Sequence, residues 1–143
     1  MPADLETLGR AVKQVQYRHH RALDGQLAAV GTTLAQWDAL RAIGMTPGAS
    51  AHTLAVETFQ SDQSFGTLAN RLAAQDLIKR RAGRGRRIEH HLTPAGKKVL
   101  QAGHPIAMKI FAASFAQLSE KERSTLLDLL LRVLRSGETP APG

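Results

Sequence analysis

The stretch Leu77-Ile78-Lys79-Arg80-Arg81-Ala82-Gly83-Arg84-Gly85-Arg86-Arg87-Ile88-Glu89-His90-His91-Leu92 limits the fold more than any other part of this chain. Residues 77–81 and 87–92 read as two short strands. Between them Gly83 and Gly85 supply the backbone freedom that a hairpin turn requires. The tip is also the densest charge in the molecule, with six cations in the nine residues from Lys79 to Arg87 and no acid among them. Everything else with a clear period reads as helix.

Leu5, Leu8, Val12, Val15, His19, Ala22 and Leu27 recur at three- and four-residue steps and put one apolar stripe on a first helix over 4–29. Gly31-Thr32-Thr33 ends it and offers a hydroxyl cap to a second helix over 33–44. After the loop Gly44-Met45-Thr46-Pro47-Gly48, Ser50 caps a short third helix over 51–57, and Ser61 caps a fourth over 62–75. Phe65, Leu68, Ala69 and Leu72 form the buried face of that fourth helix. Beyond the hairpin, Thr93-Pro94 is a cap followed by proline at the first helical position, opening a fifth helix toward Phe115 with a bend expected near Pro105. Ser119-Glu120-Lys121-Glu122 is a capping box before a leucine-rich last helix. The tail 137–143 contains two prolines and is expected to be disordered.

Length and composition suit one domain: 143 residues, of which 43% are hydrophobic and 22% charged. No apolar run approaches the ~18 residues of a membrane span, and the first residues lack the features of a secretory leader, so a cytoplasmic, nucleoid-associated protein is expected. The absence of cysteine excludes disulfides, thiolate metal sites and cysteine redox sensing. The net charge of +7 is unevenly placed: residues 1–57 are neutral, and the excess lies in 58–143. Localised positive charge suits a polyanion, since neutralising phosphates releases counterions, although a solvated basic loop would look the same.

Two short helices joined by a tight turn and followed by a basic hairpin make a winged helix-turn-helix. Four runs resemble the MarR family of winged helix-turn-helix regulators: Leu34-Ala35-Gln36-Trp37-Asp38-Ala39-Leu40-Arg41, Leu72 to Arg80, Leu92-Thr93-Pro94-Ala95-Gly96 and Leu118 to Arg123. They fall in order across about residues 5–136. The hairpin, or wing, is about two residues shorter than the family pattern. Arg84 replaces the acid usually found two positions before the wing arginine, and Arg86 stands in the arginine's place. The expected fold is therefore mainly α with a small β-hairpin wing: six helices in an intertwined homodimer. Residues 1–30 and 98–136 are expected to dimerise, and 31–97 to form the DNA-binding lobe.

A recognition helix buries one face and offers the other to the major groove of double-stranded DNA. The contacts expected there are Gln63, Ser64, Gly66, Thr67, Asn70 and Arg71, with Asp62 also outward. Gln and Asn can bond adenine twice, and Ser or Thr reaches base edges or phosphate. Gly66 costs ~1 kcal/mol in a helix relative to alanine. It either admits DNA closely or relieves crowding against a neighbouring helix. In the wing, Arg84 and Arg86 are the candidates for the minor groove, while Arg80, Arg81 and Arg87 suit phosphate.

The leucines from Leu126 to Leu134 cover more than one helical face, so one face should meet a second subunit unless all fill a monomeric core. The family resemblance implies a twofold dimer through the first, fifth and sixth helices. It also implies a small aromatic effector in a cleft that Tyr17, His20, Trp37 and Arg41 would line, although Trp37 reads first as core. The pairs His19-His20 and His90-His91 point in diverging directions, so no metal or other cofactor is expected. No arrangement of nucleophile and base, phosphate loop or paired carboxylates suggests an enzyme. The expected function is a sequence-specific DNA-binding regulator, a repressor by resemblance, on a pseudo-palindromic operator. The competing reading is a nonspecific, nucleoid-associated winged-helix protein.

Overall fold

The computed structural model describes residues 2–136; the expected disordered tail at 137–143 lies outside the described residues. The chain runs α1 (Leu5–Leu27), a 3-10 turn (Ala28–Val30), α2 (Leu34–Met45), α3 (Ala51–Glu57), α4 (Asp62–Ala74), β1 (Ile78–Ala82), β2 (Ile88–Leu92), α5 (Pro94–Ser114) and α6 (Glu120–Ser136). This is the order read from the sequence. It divides into two compact units, Met1–Ile110 and Phe111–Gly143, with α5 running across the boundary.

Side-chain caps start the helices. Asp4 accepts from Thr7 N, Thr33 from Gln36 N, Ser50 from Thr53 N and Ser61 from Ser64 N, each satisfying an amide that the first turn would leave unpaired. The Asp24 carboxylate also accepts from Leu34 N at 3.0 Å, fastening α1 to the start of α2. The core of the larger unit joins Leu40 and Ile43 of α2, Leu54 of α3, Phe65, Leu68 and Leu72 of α4, and Ile78 of β1. The buried face of α4 is thus the one its sequence spacing defines.

Strands β1 and β2 pair antiparallel, from Ile78 opposite Leu92 to Ala82 opposite Ile88. Gly85 takes a left-handed φ of +66° at the tip, whereas Gly83 is needed for space. A Cβ at Gly83 would come within 2.9 Å of the Glu89 carboxylate. The loop before α3 adds to the hairpin: Gly48 N donates to His90 O at 2.9 Å and His90 N to Ala49 O at 3.1 Å. The middle of β2 is therefore hydrogen-bonded on both edges, by β1 and by this loop.

At the junction with α5, the Thr93 hydroxyl accepts from Gly96 N at 3.0 Å and donates to Asp76 O at 2.7 Å. A side chain at Gly96 would overlap the Leu77 carbonyl, and one at Gly103 would overlap the Trp37 indole. Both glycines serve close packing. α5 runs through Pro105 without a break. Proline has no amide hydrogen, so the bond that residue 105 would give to the Gln101 carbonyl is missing from the helix.

Two helices leave apolar surface uncovered. In α1 only Leu23 and Leu27 are buried, while Leu5, Leu8, Val12 and Val15 of the same stripe are exposed. In the smaller unit, Ser119 and Glu122 form the expected reciprocal cap at 2.8 and 3.1 Å, and these bonds hold the Glu122 carboxyl below its usual pKa. α6 buries no residue, and Leu127, Leu129, Leu130, Leu131, Val133 and Leu134 are all exposed.

Candidate nucleic-acid interface

With Phe65, Leu68, Ala69 and Leu72 turned into the core, α4 exposes Asp62, Gln63, Ser64, Thr67, Asn70 and Arg71, with Gly66 partly covered. An ideal Cβ at Gly66 meets no heavy atom within 4 Å. The crowding explanation for this glycine therefore fails, because there is no neighbour to relieve. The Thr67 hydroxyl donates back to Gln63 O at 3.1 Å, leaving its methyl group and its acceptor lone pairs to the outside.

The sequence did not show which outward groups are already held. Asn70 Oδ1 accepts from Arg80 Nη1 at 2.8 Å, linking α4 to β1. Asp62 Oδ1 accepts from His52 Nδ1 at 2.9 Å, linking α4 to α3. Arg87 Nη2 donates to Gly48 O at 3.2 Å and so braces the hairpin against the loop before α3. Arg80 and Arg87, read from sequence as phosphate contacts, thus spend part of their donor capacity inside the protein. Arg81, Arg84 and Arg86 are exposed, and their side chains make no hydrogen bond or ion pair among the described residues. The only acid in the strands, Glu89, is paired with His91 at 3.0 Å.

His90 sits where the hairpin meets the core. It is buried, its Nδ1–H donates to Ala49 O at 3.0 Å, and its ring meets Phe65 edge-on with centroids 6.1 Å apart. Burial pushes its pKa below the usual 6.5; nearby Arg80 adds to the effect, and the Ala49 hydrogen bond opposes it. The neutral imidazole is the form that fits this site.

A separate cleft of about 710 Å³ lies in the larger unit. Trp37, Met45, Leu92 and Leu100 give it apolar walls, and Arg41, His91, Lys97 and His104 bring basic groups to it. Trp37 is both core and wall: it is nearly buried, with its indole N–H on Leu100 O at 3.1 Å. Arg41 is held by Asp38 at 2.9 Å. Of the residues expected to line an effector cleft, the structure brings Trp37 and Arg41 together. It leaves Tyr17 and His20 elsewhere: Tyr17 lies on a shallow groove along α1 against Arg21, and His20 is exposed on the same helix. The remaining cleft residues come from the end of α2, the loop after it, the hairpin and α5. Only their convergence in three dimensions identifies them.

Residues 30–88 match the model of the MarR family. A protein of Thauera aromatica, assigned as a transcriptional regulatory protein for the hcr operon, is 33% identical over 114 residues, covering 78% of this chain and 69% of its own. This chain belongs to the MarR family. Among solved structures, a probable transcriptional regulator from Pseudomonas aeruginosa is 33% identical, covers 87% of this chain and 95% of its own, and superposes with a TM-score of 0.75. A mutant of E. coli MarR complexed with operator DNA has the same fold at 22% identity, with a TM-score of 0.82 over 92% of this chain and 99% of its own. As a MarR-family protein the chain is a transcriptional regulator, and its α3–α4 pair with the β1–β2 wing is the winged helix-turn-helix of that family.

Proposed function

We propose that this MarR-family regulator binds double-stranded DNA as a homodimer and represses from a pseudo-palindromic operator. In this reading α4 enters the major groove through Gln63, Ser64, Gly66, Thr67, Asn70 and Arg71. Arg84 and Arg86 reach the minor groove, and Arg81 holds phosphate. The observation that carries the reading is the pairing of an outward polar α4 face with a hairpin whose tip arginines have no partner inside the protein. An α-helix fits the major groove, and arginine is drawn to narrow, negative minor grooves. The fold shared with an operator-bound relative supports the same reading.

The uncovered apolar residues of α1 and of α6 supply surface for a second copy, in line with residues 1–30 and 98–136 as the dimerising segments. Two recognition helices related by a twofold axis read two half-sites about one DNA turn apart. No helix among the described residues is long and apolar enough to cross a membrane. A DNA ligand would put the protein at the nucleoid, in the cytoplasm.

The cleft would take a small aromatic acid, with its ring against Trp37 and its charge toward Arg41, Lys97 or His104. Such a ligand releases DNA only to the extent that it binds the DNA-free form better.

The test is DNA binding at near-physiological salt, comparing fragments from the protein's own upstream region with random DNA of equal length. Selective binding that drops for Arg84→Ala and Thr67→Ala is expected. Equal binding to every fragment would overturn sequence-specific regulation in favour of a nonspecific DNA coat. The small side chains at Ser64, Gly66 and Thr67 beside a strongly basic wing are the observation that keeps this second reading in view.

A further inference from the structure

Asp62, Gly66 and Asn70 occupy successive positions of one i, i+4, i+8 ridge on the outward side of α4. The ends of the ridge are fixed from outside the helix, Asp62 by His52 of α3 at 2.9 Å and Asn70 by Arg80 of β1 at 2.8 Å. Its middle is empty: nothing stands within 4 Å of where a Gly66 side chain would begin. A helix rises ~1.5 Å per residue, so the two ends stand roughly 12 Å apart along the axis. At ~3.4 Å per base pair, that spans three to four pairs of a duplex.

We infer that this ridge is the principal base-reading edge of the protein, with Asp62 selecting cytosine. The inference rests on the DNA-binding reading above and deepens it. Asp62 is a carboxylate and can only accept hydrogen bonds. On a surface that meets phosphates it is repelled unless it finds a donor, and the cytosine N4 amino group is the major-groove donor that carboxylates take. The histidine holds one carboxylate oxygen and leaves the other to the groove. At the opposite end, Arg80 occupies the Asn70 carbonyl oxygen, so Asn70 presents its amide donors, which suit base acceptors. Gly66 between them lets the base edges approach the helix backbone. Side chains held in place before binding lose less rotamer freedom on contact, so the ridge is built for discrimination more than for raw affinity.

A competing account makes Asp62 a charge that merely favours the positive end of α4. The two accounts differ in sign. The experiment enriches duplexes from a randomised pool with the full-length wild type, then with Asp62→Asn and Gly66→Ala, and measures affinity for the wild-type consensus and for random DNA. Asparagine keeps an acceptor for His52 but removes the charge. The inference expects Asp62→Asn to lose a C·G preference at one position in each half-site, binding the consensus about tenfold more weakly and random DNA at least as tightly. It expects Gly66→Ala to raise the melting temperature by roughly 3 °C, since alanine is the better helix former and has room, while weakening consensus binding about tenfold. An unchanged consensus for Asp62→Asn, with tighter binding to all DNA, would overturn the inference, as would full consensus affinity in Gly66→Ala. Failure of the wild type to enrich any sequence would remove sequence-specific binding itself, a distinct result that takes this inference with it.

Discussion

The five wing arginines have equal charge but different attachments, and alanine substitutions should separate them. Arg84→Ala and Arg86→Ala remove cations with no internal partner, so stability should stay within ~0.5 kcal/mol of wild type. DNA binding should lose salt dependence, because a cation set in the minor groove also neutralises backbone charge and displaces counterions, each neutralised phosphate contributing ~0.9 to the slope of log K against log salt. Titration at four or five salt concentrations reads this directly. Arg87→Ala breaks the bond to Gly48 O and should instead lower thermal stability by about 0.5–1 kcal/mol. His90 adds a pH dependence. Its pKa is lowered in the fold, so the unfolded chain binds the proton more readily. The stability contributed by neutral His90 is full above the unfolded value near 6.5 and is lost as the pH falls below it toward the folded value. Melting temperatures should therefore drop between pH 7.5 and pH 5 in the wild type, and less steeply in His90→Gln at its own lower baseline. The same slope in both proteins would exclude His90 as the cause.

At the scale of elements, the helices and the hairpin were legible because each start carries its own chemistry within four residues. Ser50, Ser61 and Thr93 cap what they were expected to cap. The inward face of α4 was legible for a related reason, since a 3.6-residue period fixes which side chains share a face. The candidate site was less legible. Its polar ties join residues far apart in sequence, such as Arg87 with Gly48 and Asn70 with Arg80, and no local pattern encodes them. Gly66 could be read two ways from sequence because the surroundings of a glycine are a tertiary property. The contrast with Gly103 is instructive. A Gly103→Ala side chain would overlap the Trp37 indole, and forcing extra volume into such a site typically costs about 1–3 kcal/mol. We expect Gly103→Ala to melt earlier and to shift the fluorescence of Trp37, the sole tryptophan. It should also weaken any quenching by benzoate, used as a probe of the cleft. Unchanged melting and emission would mean that α5 can move aside without strain.

At the scale of the whole molecule, the leucines of α6 form apolar surface that nothing among the described residues buries. Six large apolar side chains of that helix stand exposed. At ~25 cal/mol per Å² of apolar area removed from water, covering such a face favours association strongly. The double substitution Leu130→Glu with Leu134→Glu should yield a helical monomer by analytical ultracentrifugation. It should also bind a two-half-site operator at least about a hundredfold more weakly, because the second half-site is no longer tethered to the first. A dimer that persists through both substitutions would show that these positions lie outside the contact. The sequence made the excess of leucine visible but not which of those side chains stay exposed, since that depends on tertiary packing.

The hairpin is anchored along β2, by the Gly48 and Ala49 backbone, and where the turn re-enters β2, by Arg87, while the side chains of Arg84 and Arg86 stand free of these ties. A change of a residue or two between Arg84 and Arg86 would leave the bonds from Gly48 and to Ala49 in place. A lineage that gains or loses a residue or two around Arg84 and Gly85 keeps its core and changes only how far its cations reach. In such a scaffold regulatory rewiring is inexpensive: new sites can be explored by a loop whose failures do not take the protein down with them.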